Sequence, residues 1–215
     1  MQFKLPNILT ISRIAAIPVV VLLLLLPQPL GNWLAFSVYA MACITDFFDG
    51  YLARAWEQQS SLGKFLDPIA DKLLVAAVLL MLVGIDRIQG LTLLPAAVIL
   101  CREILVSGLR EFLASVRVGM PVSALAKWKT SIQLIALGFL IVGAAGPKFG
   151  PLTTLEVGMI GLWGAALLTL LTGYDYLLAG LRQIQEVDQA INNAARASVE
   201  SQTETESRTK VDPNP

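Results

Sequence analysis

Four aspartates stand at the ends of two apolar runs: Asp46, Asp49, Asp67 and Asp71. Asp46 and Asp49 are three residues apart, and Asp67 and Asp71 are four apart, so each pair shares one face of a helix. Carboxylates placed beside hydrocarbon need a compensating partner. Antiparallel packing of the two helices would bring both pairs to one depth, where like charges repel unless cations neutralise them. Oxygen ligands without His or Cys suit Mg²⁺ or Mn²⁺. Four carboxylates are enough for two ions, and paired ions clamp phosphates in displacement chemistry. Gly50 and Gly63 remove side chains beside the cluster. Arg54, two turns after Asp46, offers a planar fork of donors to a phosphate. A lone Asp-x-x-Asp-Gly would mark only a helix end or turn. The longer string lies within membrane-type segments, where a solvated face does not account for it and ionisable residues are functional by default.

The elements that must position these groups are apolar. Of 215 residues, 55% are hydrophobic and 15% charged, a membrane composition. There is no histidine, so proton transfer near neutral pH falls to carboxylates, Lys or Tyr. Cys43 and Cys101 lie inside apolar runs and read as small hydrophobes, with no disulfide framework or zinc motif. Formal net charge is zero, and no nucleic-acid partner is expected. Basic residues precede the first run, 14–26, but no small-x-small cleavage pattern follows it, so it reads as a retained helix.

Six runs approach the roughly 20 residues that span a bilayer: about 12–28, 33–53, 68–86, 91–112, 129–146 and 155–178. Strand alternation is absent. The expected fold is an all-α integral membrane protein with six transmembrane helices. Residues 1–13 form a juxtamembrane segment, expected as a short interfacial helix. Residues 14–182 form the membrane domain. Residues 183–215 are a polar tail, expected to be disordered from about Ala194. With the N-terminus inside, Lys4, Arg13, Arg54, Lys64, Arg110, Arg117, Lys127, Lys129 and Arg182 fall on the cytoplasmic side, and only Arg87 and Lys148 fall on opposite loops. That is the positive-inside pattern for a multi-pass protein, with both termini and the aspartates cytoplasmic.

The string Asp46-x2-Asp49-Gly50-x2-Ala53-Arg54-x8-Gly63-x3-Asp67-x3-Asp71 resembles the signature of the CDP-alcohol phosphatidyltransferases without a departure. The resemblance implies a six-helix fold, usually homodimeric, that transfers a phosphatidyl group from a CDP-linked lipid to an alcohol and releases CMP. It implies that Asp46, Asp49 and Asp67 hold one metal, that Asp46, Asp67 and Asp71 share a second, and that Asp71 is the general base. Gly50, Arg54 and Ser60 would touch the cytidine diphosphate. Leu5-Pro6-Asn7-Ile8-Leu9-Thr10 resembles the family's entry segment, which adds Asn7. No Ser, Cys or His nucleophile is evident, so direct in-line displacement is the simplest scheme.

The signature leaves the acceptor open. Arg102-Glu103 and Ser107-Gly108-Leu109-Arg110-Glu111 put four charges on the fourth run, followed by Arg117, Lys127 and Lys129-Thr130. Such a set would surround an anionic acceptor. Alternatively, Arg102 pairs with Glu103 or another acid, and the later cations are only topogenic. These residues resemble the branch of the family that uses sn-glycerol 3-phosphate, from Met1 to about Leu181, with Ala126 where that branch often has Gly. That resemblance implies CDP-diacylglycerol as donor, with phosphatidylglycerol phosphate as product. Inositol phosphate or phosphatidylglycerol is the competing acceptor. A divalent-cation transporter is the competing class, but the far halves of the runs are nearly free of acids. Gly158, Gly161 and Gly164 with Ala165 form a small-residue face suited to close helix packing or dimer contact.

Overall fold

The computed structural model describes residues 5–55, 61–116 and 124–211. Among them are six long helices: α1 (Leu5–Leu24), α2 (Leu30–Ala55), α3 (Ser61–Gly84), α4 (Leu93–Ser115), α5 (Ala124–Val142) and α6 (Thr154–Val211). Short 3₁₀ turns precede α4 and follow α5. α1 packs on both α2 and α3, while α6 packs on α4 and α5, and α2–α5 and α3–α4 contacts join the two groups.

The chain is a multi-pass membrane protein. Gly90–Ser115, Trp128–Ala145 and Thr154–Val187 are each long and apolar enough to cross a bilayer, and Thr10–Leu24 is a shorter apolar helix. Val20, Leu74, Leu82, Ile99, Leu137 and Leu162 are buried in a common core. Leu22, Met41, Leu80, Ile104, Leu167 and Leu171 face outward on five of the helices. An apolar exterior of that extent belongs against lipid. Trp33 and Trp128, at opposite ends of the bundle, are exposed as an interfacial belt requires.

Two boundaries differ from the sequence expectation. The interfacial helix of residues 1–13 is continuous with α1 from Leu5 onward. Pro6 falls in the first turn, where a missing N–H costs little. α6 runs on to Val211 through the polar stretch. Residues 181–211 contain no Gly or Pro and many helix formers, so backbone propensity carries the helix beyond its apolar part.

Small residues set how closely α6 approaches α5. A Cβ at Gly158 would lie 2.9 Å from Leu140 side-chain atoms, and one at Gly161 would lie 2.9 Å from the Ala136 Cβ. Gly164 meets nothing within 4 Å. The small-residue face therefore divides: its first part packs inside the bundle and Gly164 opens outward. Gly161→Leu should lower the detergent melting temperature through an overpacking cost of about 1–3 kcal/mol, while Gly164→Leu should leave it unchanged. Equal effects at the two positions would contradict this packing.

The end of the bundle far from the aspartates is tied by Arg87. Asp86 adopts a left-handed φ of 57°. The Arg87 N–H then bonds back to the Leu82 carbonyl at 2.9 Å, closing the end of α3 and turning the arginine inward. Its guanidinium donates to the Asn32 Oδ1 (2.6 Å) and to the carbonyls of Leu140 (2.9 Å) and Ile141. Asn32 donates to the Val142 carbonyl at 3.0 Å. Two side chains thus satisfy three terminal carbonyls of α5. Arg87 lies on the loop after α3, as the sequence suggests, but its side chain is buried against the end of α5 rather than facing water.

Candidate functional site

The aspartate end is organised by α1. Arg13 projects from α1 into the junction with α2 and α3, and its side chain is only 1% exposed. Its Nη2 lies 2.6 Å from the Asp46 Oδ1 on α2. Its Nη1 donates to the Asp71 Oδ1 on α3 at 2.8 Å. The structure therefore brings two of the four sequence-picked aspartates, from two helices, onto one guanidinium. Their side chains remain 41% and 50% exposed, so the carboxylates are open on one side.

Asp49 lies one turn beyond Asp46 on α2, and Asp67 lies one turn before Asp71 on α3. The side chains of Asp49, Asp67, Arg54, Asn7 and Lys127 lie outside the described set, though their backbones are helical; Gly50 is likewise placed only as backbone. Ser60 and Arg117 lie outside the described residues. Among the described residues no group of three or more potential metal ligands occurs.

Sequence reading missed Arg13 as a site residue and counted it only as a cytoplasmic charge. One signal was available in the spacing: Thr10 stands one turn earlier on the same face of α1, and the structure buries it as well. Polar residues at 10 and 13 at the mouth of an apolar run mark a face turned towards protein rather than lipid.

A second polar group joins α4, α5 and α6. Lys129 on α5 is 1% exposed and forms an ion pair with Glu103 of α4. Arg102 Nη1 stands 3.9 Å from the same Glu103 oxygen. Across on α6, Arg102 Nη2 lies 3.4 Å from the Thr172 Oγ1, and its Cζ sits 5.6 Å from the Tyr176 ring centroid, a cation–π contact. Gly173 makes room for the arginine stem, since a Cβ there would lie 3.1 Å from the Arg102 Cγ. Arg102 Nε, Gln133 Oε1 and Thr169 Oγ1 are buried without a hydrogen-bond partner in the structure. Gln133 follows Lys129 by one turn on α5, and Thr169 precedes Thr172 by one turn on α6. Each of these atoms can take a further hydrogen bond, from water or from a polar ligand. Arg110, also expected here, is exposed on α4. Glu103, Thr172 and Tyr176 were not among the expected site residues.

Between α2 and α5 runs an apolar groove of about 460 Å³, lined by residues that include Trp33, Phe36, Tyr39, Leu134, Gly138 and Phe139. Cys43 and Ile44 also line it, one turn before Asp46. An apolar groove of this kind can hold hydrocarbon, and its nearest approach to the carboxylates along the chain is at Cys43 and Ile44.

The motif, the helical bundle and the converging carboxylates define a class. The chain belongs to the CDP-alcohol phosphatidyltransferase family, whose model it matches over residues 3–171. It is 51% identical over 176 residues to the CDP-diacylglycerol–glycerol-3-phosphate 3-phosphatidyltransferase of Rickettsia bellii, covering 82% of this chain and 94% of the relative. The proteins of that name from Pectobacterium atrosepticum (38% over 189 residues, 86% and 100% covered) and Cereibacter sphaeroides (35% over 219 residues, 86% and 99% covered) are similar along nearly their whole length.

Proposed function

We infer that the chain transfers a phosphatidyl group from CDP-diacylglycerol to sn-glycerol 3-phosphate, giving phosphatidylglycerol phosphate and CMP. The observation that carries this reading is the convergence of Asp46 and Asp71 on one cationic centre in a chain half identical to relatives of that activity. The acceptor hydroxyl attacks the lipid-side phosphorus. The bond from that phosphorus to the bridging oxygen breaks, and CMP leaves. Asp71 takes the hydroxyl proton as general base. The half-exposed carboxylates give it access to an incoming alcohol.

The carboxylates of Asp46 and Asp71, which meet at Arg13, are oxygen donors of the kind that fit Mg²⁺ or Mn²⁺, and with Asp49 and Asp67 they would hold two such ions. Ions bound there would offset the charge of the pyrophosphate as CMP departs. Asn7, Gly50, Arg54 and Ser60 hold the cytidine diphosphate. The apolar groove between α2 and α5, which reaches Cys43 and Ile44, supports a lipid donor whose chains never leave the bilayer. Arg102 and Lys129, with Arg110, Arg117 and Lys127, bind the acceptor phosphate. The unspent polar atoms around Arg102 support that placement. The protein works as a homodimer in the bacterial inner membrane with its site towards the cytoplasm. Arg87 and Lys148 are outnumbered by the Lys and Arg residues at the aspartate end, which supports that orientation.

The test is CMP release by the purified chain with CDP-diacylglycerol, Mg²⁺ and a panel of alcohols. Release with glycerol 3-phosphate and not with inositol phosphate or phosphatidylglycerol is the expected result. Release only with another alcohol overturns the acceptor, and no release with any overturns the reaction.

A further inference from the structure

Arg13 has no role in the chemistry above, yet it is among the most completely buried side chains of the protein. A buried guanidinium is costly unless its donors are met by charge. Here the two terminal nitrogens reach carboxylates on two different helices, at 2.6 and 2.8 Å. These are short, charge-assisted contacts. The same fork could not reach both if α2 and α3 slid past each other, so it fixes their relative depth as well as their charge. A lysine ammonium on a flexible stem lacks that planar span.

We propose that Arg13 is a resident counter-ion and positioning residue, which holds Asp46 and Asp71 at one depth before any divalent ion arrives. The inference rests on the metal-binding reading of these aspartates. Without Arg13 the carboxylates repel and α2 and α3 are free to slip. An added divalent cation then has to supply both the charge and the register, so it stabilises the variant more than the native chain.

The test uses the full chain in detergent, with melting temperature measured in EDTA and in saturating Mn²⁺. The expected result is a clear Mn²⁺-induced rise in the native protein and a rise at least twice as large in Arg13→Met, from a lower starting point. Arg13→Lys is expected to fall between them. An equal rise in native and Arg13→Met proteins overturns the proposal, because Arg13 would then be only a packing residue. No rise in the native protein overturns the metal reading and the proposal with it. If Arg13→Met folds only when purified with Mn²⁺, the proposal holds. If it folds under neither condition, Arg13→Lys decides: a larger rise than native supports the proposal and an equal one overturns it.

Discussion

Asp71→Asn is expected to lose about 10²–10⁴-fold in turnover, the usual contribution of a positioned general base, while still binding the CDP-lipid. The amide keeps the shape of the carboxylate, and its oxygen can still accept from Arg13 Nη1 where Asp71 now does at 2.8 Å. Arg13 also keeps its contact to Asp46. The α1–α2–α3 junction should therefore survive, and what is lost is the proton acceptor together with one charged ligand, while Asp46, Asp49 and Asp67 remain to hold the ion nearest the donor. CMP release measures the first effect, and equilibrium binding of a labelled donor in lipid nanodiscs measures the second. Unchanged turnover would remove Asp71 from the base role. Loss of donor binding together with turnover would make it a holding residue instead.

Lys129→Met should damage stability and acceptor binding together. Removing one member of a buried ion pair costs about 3–5 kcal/mol, and the low end applies because Arg102 still stands 3.9 Å from the Glu103 oxygen. The KM for glycerol 3-phosphate should rise about 10–100-fold, the value of one charge-assisted contact of about 1.5–3 kcal/mol. A second change separates the two effects. Adding Glu103→Gln removes the orphaned charge, so the double variant should recover its melting temperature but not its KM. Recovery of both would mean that Lys129 serves only to neutralise Glu103.

The pairing of Asp46 with Asp71 was legible in the sequence, while the side chains of Asp49 and Asp67 lie outside the described set. Spacings of three and four fix a helix face, and a carboxylate in an apolar run has few reasons to be there. Arg13 was not, because a cation at the edge of an apolar run looks the same whether it faces headgroups or a neighbouring helix. Only the packing of α1 on both α2 and α3 distinguishes them. The burial of Arg87 was hidden for a similar reason. Its inward turn depends on the left-handed backbone at Asp86, which a non-glycine residue does not advertise. The ambiguity at Lys129 was real: it is deeply buried, as a ligand-binding residue could be, and paired with Glu103, as a structural one would be. The helical continuation of α6 was hidden because polar composition reads as a tail, while helix propensity there is high.

Electron paramagnetic resonance of Mn²⁺ titrated into the purified chain bears most directly on the aspartate centre. Two tightly held ions per chain are expected, with occupancy falling sharply in Asp46→Asn and phosphorus coupling appearing when CDP-diacylglycerol is added. Mn²⁺ that stays free in solution, or that binds equally well to Asp46→Asn and never senses the donor's phosphorus, would contradict it.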